Sequence, residues 1–536
     1  MNLGSLGQDN IVKYGEYESC YYEGKWYTNV EMDKNSNRLG NALKSLGIGR
    51  GDRVAIQMPN SPVVLWSFPA IYKIGAIAVP MNPLLRPDQA AYIFQNSGTK
   101  AVITSPEYVP WVLAAQKQAP ELKHIIVTEK DDISGTIAYD KFVEGRDDQL
   151  NIEETDSDDI AALIYTAGTT GPNKGVMHTH FSLYMTAIGF EDFISRYMGN
   201  VVQIKTSTMD VRTHKRVEIN SRIGGTDLGM SLFVLPLSHS YGLAVALTGT
   251  RLAGRSVIMK WFNPELALKY IQDFKINTFS GVPAMYIMML NHPDFDKYDL
   301  SSLQSCSCGA APLPPEIGRQ WKEKTGTDIL EGWGMTETGA TTCGNRPDIP
   351  PKYGSIGVCM IKPDTIKVFD DQDKELPAGK TGELVVKGPT IMRGYWNMPK
   401  ETEEALRNGW LHTGDVGHMD EDGYFYITDR KKDIIIRGGE NVSPREVEEV
   451  LLEISQIADA GVIGIPDKTY GEEIKAFCVL RKDQQIGSEE IIAYCKQKLP
   501  TYKVPKAVQI VDTLPKNMLG KLLRAELRKI EKEKAI

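Results

Sequence analysis

Along the chain, short runs of consecutive apolar, mostly β-branched residues alternate with stretches of helical spacing. From Asp52 the order is a strand over Arg53 to Gln57, a helix from about Pro62 to Ile74 and a strand over Ala76 to Val79, followed by strands at Lys100 to Thr104 and Ile125 to Val127. Apolar strands divided by helices predict parallel sheets covered by helices. The alternation resumes with a helix from Phe181, a strand over Leu232 to Leu235, a helix from Pro264 to Phe274 and a strand over Thr278 to Ser280. The expected fold class is α/β.

Three segments qualify that pattern. Ser61 to Met81 is apolar enough to suggest a membrane span, but Pro69, Lys73, Gly75 and Pro80 interrupt it, so a buried helix running into a buried strand is expected. Residues 200–229 alternate Val202/Ile204 and Val211/Val217/Ile219, the pattern of a small hairpin of unassigned role. After Thr428 a charged run, Asp429 to Asp433, precedes a helix start at Ser443-Pro444, strands at Ala460 to Ile465 and Glu473 to Leu480, and a helix over Ser488 to Lys498. This reads as a small mobile α+β domain, with a division into residues 1–430 and 431–536.

Composition narrows the function. A chain of 536 residues needs more than one domain. A net charge of −8 argues against a general nucleic-acid surface, so any nucleotide must find a local cationic site. Seven scattered cysteines, among them the close pair Cys306 and Cys308, suit reduced buried thiols better than a disulfide framework or metal centre. The opening residues lack a basic segment followed by an apolar one, and a cytoplasmic location with no transmembrane segment is expected.

The strongest chemical signal is "YTAGTTGPNKGVMHTH", Tyr165 to His180. Its glycines bring backbone N–H groups close to an oxyanion, and Thr166, Thr169, Thr170 and Lys174 add hydroxyls and charge beside Gly168 and Gly171. Lys174 is followed by Gly175, not Ser or Thr, so the Walker pattern is not met. By itself the loop is equally a flexible turn.

Four further motifs change those odds: "EGWGMTETG" (Glu331 to Gly339), "GWLHTGDVG" (Gly409 to Gly417), "YITDRKKDIIIRGGENVSPREVEE" (Tyr426 to Glu449) and "LPKNMLGKLLR" (Leu514 to Arg524). Together, in this order, they resemble the adenylate-forming enzymes, specifically the fatty acyl-CoA synthetases, over nearly the whole chain. The resemblance implies that ATP and a carboxylic acid give an acyl-adenylate and pyrophosphate, and that coenzyme A then displaces AMP. A carboxylate is a poor electrophile, and activating it brings anions together, so such a site must neutralise charge.

By the same resemblance, Thr166 to Lys174, with Thr169 acting in catalysis, holds the β- and γ-phosphates, and Glu337 holds Mg²⁺. Glu331, Gly332, Trp333, Gly334, Met335 and Thr336, with Gly309, Ala310 and Ala311, enclose the nucleotide, Trp333 giving the adenine an aromatic face. Asp415 takes the ribose hydroxyls and Arg430 orients ribose or phosphate. Lys521 is the catalytic lysine, bridging the carboxylate and the α-phosphate as a compact charge. Lys432 stands at a hinge, and Gly438, Gly439 and Glu440 are presented in a second state that admits coenzyme A. Out of context, Asp415 would be an Asx-turn and the Lys432 and Lys521 segments solvated turns.

On the acyl side the resemblance points to His239 and Tyr241 beside the incoming carboxylate, and to Gly242, Val282, Gly309, Gly334 and Met335 as walls of an apolar pocket. The motifs "FSGVPAMYIMMLNHPDF" and "CGAAPLP" look most like medium- to long-chain enzymes, with aryl or alicyclic acids as the alternative. An amino-acid-activating module would place an aspartate near Ser238 to Tyr241, and none stands there. A nucleotide-binding scaffold without turnover and a homodimeric state remain open on sequence.

Overall fold

The structure, a computed structural model, describes residues 2–130, 133–166, 173–198, 202–210, 215–223, 229–361, 365–516 and 520–534. Contacts divide the chain into two compact units. One comprises Met1–Ala167, Asn173–Thr365 and Lys387–Gly409; the other holds Ile366–Val386 and Trp410–Ile536. The sheet that carries Asp415 and Arg430 is thus grouped with the C-terminal residues.

The first unit contains two large sheets. In one, Ile160–Thr166, Ile77–Pro80, Arg53–Gln57, Thr99–Thr104, His124–Val127 and Ile137–Ala138 lie side by side, with Lys174–Thr179 and then Gly394–Tyr395 added antiparallel at the edge. Arg53–Gln57 is buried on both faces: Val54 and Ile56 join Leu39, Leu43 and Ile71 in one core, while Ala55 joins Val79, Phe94 and Val102 in another. In the other sheet the parallel strands run Ile329–Trp333, Ser305–Cys308, Thr278–Gly281, Met230–Phe233, Arg255–Ile258 and Glu18–Tyr22. The α/β reading holds.

Local chemistry sets the boundaries. Ser61 caps the helix Pro62–Lys73 by accepting from the Val64 amide at 3.4 Å, and Pro62 occupies the first turn. That helix is buried and leads to Ile77–Pro80, as the interrupted apolar run predicted. Among the described residues no helix is long and apolar enough to cross a membrane. The hairpin expected within 200–229 forms from Val202–Asp210 and Lys215–Ile223, paired from Val202↔Ile223 to Asp210↔Lys215 as a separate two-stranded sheet. The cysteines are free, and burial pushes the Cys306 thiol up to about 12.

The second unit has a four-stranded sheet, in the order Thr365–Phe369, Gly382–Lys387, Leu411–Met419, Phe425–Arg430. Its second sheet joins Glu440–Val442, Ile435–Arg437, Gly471–Leu480 and Ile457–Asp467, with Ala507–Ile510 beside Gly471–Leu480. Ser443 caps the helix Pro444–Leu452 through the Glu446 amide, as its sequence implied. The helix Ser488–Lys498 carries acids in its first turn and lysines in its last, matching the helix dipole.

Candidate functional site

The glycine-rich loop joins two antiparallel neighbours. Ile160–Thr166 pairs with Lys174–Thr179, and Thr166 faces Lys174 across the ladder. The helix His180–Met198 begins only after the second strand. The loop therefore sits at a hairpin end, unlike a Walker loop, which opens directly into a helix. Gly168, Thr169, Thr170 and Gly171 lie outside the described residues.

At the root of this hairpin, the Lys174 ammonium lies 4.6 Å above the centre of the Tyr395 ring, a cation–π contact. The Tyr395 hydroxyl donates to Glu337 Oε1 at 2.9 Å. Burial and the Glu337 carboxylate push the Tyr395 phenol up, so it remains a donor. The Glu337 carbonyl accepts from the Met392 amide at 2.8 Å. One residue earlier, the Thr336 carbonyl accepts from Nε2 of buried His178 at 2.6 Å. Burial lowers that imidazole to about 4, so it is neutral. With Nε2 donating, Nδ1 is left to accept from Ser182 at 3.1 Å. Two strands and one turn thus join half-buried Lys174 to buried Tyr395 and Glu337 in a single network.

The other predicted residues of this unit cluster where parallel strands end. Gly281 pairs with Cys308 and Cys308 with Glu331, so Val282, Gly309 to Ala311 and Gly332 to Met335 all emerge at the carboxyl edge of one sheet. Crevices at that edge are where α/β sheets take ligands. The Glu331 carboxylate accepts from the Leu313 amide at 3.2 Å, and its carbonyl takes the Asn345 amide at 3.0 Å, so Glu331 latches the 309–313 turn. Half-buried Trp333 pairs with Cys343 and accepts from the Thr342 amide at 2.8 Å. Met335 starts the short turn Thr336–Thr338, its amide bound to Thr338 Oγ1 at 3.1 Å.

Beside this edge, His239 caps the helix Ser240–Arg251 by accepting from the Tyr241 amide at 3.3 Å. The Tyr241 hydroxyl lies 3.1 Å from Ser307 Oγ, and Ser307 donates to Ser280 at 2.9 Å. Burial pushes the Tyr241 phenol up to about 12. Protein atoms stand close beside the glycines expected as pocket walls. A Cβ on Gly242 would meet the Pro236 carbonyl at 2.3 Å, one on Gly334 the Ala340 carbonyl at 1.6 Å, and one on Gly309 the Tyr241 ring at 3.3 Å.

The second unit gathers Asp415, Arg430, Lys432 and Lys521. Asp415, almost fully buried, pairs in register with Arg430 and binds its Nε at 2.9 Å. Thr413 Oγ1 accepts from the Asp415 amide at 3.1 Å and donates to the Leu384 carbonyl at 2.6 Å, fixing the turn. Lys521 lies immediately before Leu522, within the segment closed by the Lys516↔Leu522 bridge, and Gly520 before it takes φ +73°, a conformation glycine adopts freely. Lys521 is an exposed residue, yet lost hydration around its ammonium, and after it the Arg430 cation, lower it to about 8, with Lys432 adding to the shift and Asp415 and Asp433 opposing it. Gly438 and Gly439, both at positive φ, make the two-residue turn between Arg437 and exposed Glu440.

Sequence reasoning gave no role to Tyr395, His178, Asn345 or Ser307. His178 lay within the motif already singled out, whereas "GYWN" at Gly394 to Asn397 offered only an aromatic pair in a turn.

Comparison with known proteins gives these placements a context. The family described as AMP-binding enzyme matches residues 8–396, and the AMP-binding enzyme C-terminal domain matches 446–521. The chain is 34% identical to a long-chain-fatty-acid–CoA ligase of Bacillus subtilis (strain 168), covering 99% of this chain and 95% of that protein. It is also 34% identical to a feruloyl-CoA synthase of an Amycolatopsis species, covering 94% of each. The crystal structure of an anthranilate CoA ligase in complex with anthranoyl-AMP superposes with a TM-score of 0.87 at 29% identity, covering 100% of this chain and 98% of that one.

Proposed function

Because the chain belongs to the AMP-binding enzyme family and is an AMP-forming acid–CoA ligase, we propose that it activates a medium- to long-chain fatty acid as its acyl-adenylate, releasing pyrophosphate, and passes the acyl group to coenzyme A. The observation that carries this choice of acid is the collinearity of almost the entire chain with a long-chain-fatty-acid–CoA ligase. An aryl acid is the second reading, favoured by the equal identity to a feruloyl-CoA synthase.

In this reading the Thr166 to Lys174 loop, including Gly168, Thr169, Thr170 and Gly171, cradles the β- and γ-phosphates. Thr169 donates to the transferring group, and Lys174 supplies the positive charge that a net −8 chain must concentrate locally. Glu337 fits Mg²⁺: Tyr395 takes one carboxylate oxygen, and a sparse hard-oxygen donor set suits an ion that keeps waters and phosphate oxygens around it. When bound, Mg²⁺ would supply charge neutralisation at the phosphates.

Gly309 to Ala311 and Glu331 to Thr336 line the nucleotide, with Trp333 against adenine. Asp415 holds the ribose hydroxyls, oriented by Arg430. His239, Tyr241, Gly242, Val282 and Met335 border the acid. Lys521 bridges the carboxylate and the α-phosphate in adenylation, then gives way as the C-terminal domain turns about Lys432 and brings Gly438, Gly439 and Glu440 to coenzyme A.

The test is release of pyrophosphate and AMP, with thioester formation, over acids from acetate to stearate plus benzoate, ferulate and cyclohexanecarboxylate. The highest kcat/KM is expected between octanoate and palmitate. A maximum on a ring acid would establish the second reading.

A further inference from the structure

One group of charges in the C-terminal unit stands behind Lys521. Arg524 opens the helix Arg524–Lys534, and its Nη2 alone donates to both oxygens of Glu448, at 2.8 and 2.6 Å. Its Nε donates to the Val462 carbonyl at 3.2 Å, and Glu448 accepts from the Val462 amide at 2.8 Å. Asp433 forms a second arm: Arg528 lies 2.9 Å from it, Arg524 3.9 Å from it, and its amide donates to the Arg430 carbonyl at 2.8 Å. Glu448, Asp433 and Arg524 are all mostly shielded from solvent.

The C-terminal helix has other means of attachment. Leu527 and Leu514 pack with Ile463 and Phe477 in a small apolar cluster. Buried ion pairs add little net stability, because desolvation offsets their attraction. What this guanidinium adds is direction, since a planar group held at Nη2 by a carboxylate and at Nε by a carbonyl keeps one orientation. The chain it orients is short. Lys521 lies three residues before Arg524, and the Leu523 amide donates to the Pro515 carbonyl at 2.9 Å, closing the loop on its other side.

We propose that the Glu448–Arg524 pair, with Asp433 as its second arm, sets the Lys521 loop against the Asp415 to Asp433 segment, making Glu448 a positioning residue for adenylation that acts through Lys521 without touching substrate. The inference rests on the reading of Lys521 given above. The charged groups around the lysine are Arg430, Lys432, Asp415 and Asp433, so a loop released from its clamp is expected to carry the ammonium away from two cations.

The experiment uses the full chain carrying Glu448→Gln and, separately, Arg524→Lys, which keeps the charge and loses the separate nitrogen that binds the Val462 carbonyl. In Glu448→Gln, kcat for adenylation is expected to fall about tenfold or more, with KM for ATP and acid within about threefold and thioester formation from supplied acyl-AMP retained. The Lys521 titration is followed by NMR of ¹³C-methylated lysines, with Lys521→Arg giving the assignment. It is expected to move upward from about 8 by about one pH unit. Arg524→Lys is expected to give the same pattern at smaller size, and carries the comparison if Glu448→Gln does not fold. Equal loss of both half-reactions, or an unmoved Lys521 titration in the folded variants, overturns the proposal. Adenylation that survives Lys521→Ala instead overturns the role of the lysine, and the titration still judges the clamp.

Discussion

The phenol of Tyr395 donates to the carboxylate of Glu337 at 2.9 Å and carries the Lys174 ammonium over its ring at 4.6 Å. One aromatic side chain therefore ties the exit of the glycine-rich hairpin to the "MTET" turn, whose partners lie far apart in sequence. The hydrogen bond is charge-assisted and shielded, so its loss leaves a carboxylate oxygen without a donor in a place where water enters poorly.

Tyr395→Phe keeps the ring under Lys174 and removes only that donor. Unfolding stability is expected to fall by about 1–3 kcal/mol. Because Glu337 is proposed to hold Mg²⁺, the metal concentration for half-maximal pyrophosphate release should rise, while thioester formation from supplied acyl-AMP stays near wild type. Urea titration and a Mg²⁺ series of the two half-reactions check both parts. An unchanged Mg²⁺ dependence would separate Glu337 from the metal.

Gly334 and Gly249 make a matched pair. A Cβ on Gly334 would sit 1.6 Å from the Ala340 carbonyl, whereas one on Gly249 meets nothing within 4 Å. Gly334→Ala is expected to destabilise the unit by about 3 kcal/mol and to slow adenylation by opening the Met335 turn. Gly249, inside the helix Ser240–Arg251, should tolerate Ala with a gain of about 0.5–1 kcal/mol. Thermal unfolding of the two variants beside the parent measures the contrast.

What the chain revealed in advance follows the range of the interactions involved. Strands such as Arg53–Gln57 and the helix Ser488–Lys498 are written locally, in β-branched runs and in the charges of the helix ends, and the structure returns them with the expected bounds. The motif residues were legible as groups, since Gly309, Glu331 and Met335 converge at one sheet edge. Tyr395 and His178 were not, because their partners are 58 and 158 residues away and no local pattern encodes that meeting. The glycines show a subtler gap: Gly242 and Gly334 read in sequence as walls of an apolar pocket, and only the folded backbone reveals how closely the Pro236 and Ala340 carbonyls approach them.

Lys521 allows a test of charge rather than shape. In the proposed reaction its ammonium, lowered to about 8, is the form that opposes the carboxylate and α-phosphate charges, so adenylation should decline as pH rises through about 8. Lys521→Arg retains the cation at far higher pH and should show no such basic limb, with kcat reduced because the planar group is larger. Lys521→Ala should abolish adenylation at every pH yet still convert acyl-AMP and coenzyme A to the thioester. Initial rates of the two half-reactions from about pH 6 to 10 decide the matter. A basic limb that persists in the arginine variant belongs to another group.

His178 supplies the last prediction, in which burial acts on stability. Its imidazole is fully enclosed, donates to the Thr336 carbonyl, and is lowered from 6.5 to about 4 by desolvation. His180, next but one in the chain, is lowered to about 4 for the same reason. Between about 4 and 6.5 the unfolded chain binds protons at these positions that the folded chain refuses. Folding stability is therefore complete above about 6.5 and is lost as pH falls toward 4, by roughly 3 kcal/mol for the fully enclosed His178. His178→Gln can still donate an amide N–H to Thr336 but cannot titrate. The variant should be somewhat less stable than the parent at neutral pH and should lose distinctly less between about pH 6.5 and 4.5, the remaining slope coming from His180 and the carboxylates. Urea midpoints measured across that range, with the two curves converging at the acid end, are the expected result; parallel curves would show that His178 is protonated as readily in the folded protein as in the unfolded one.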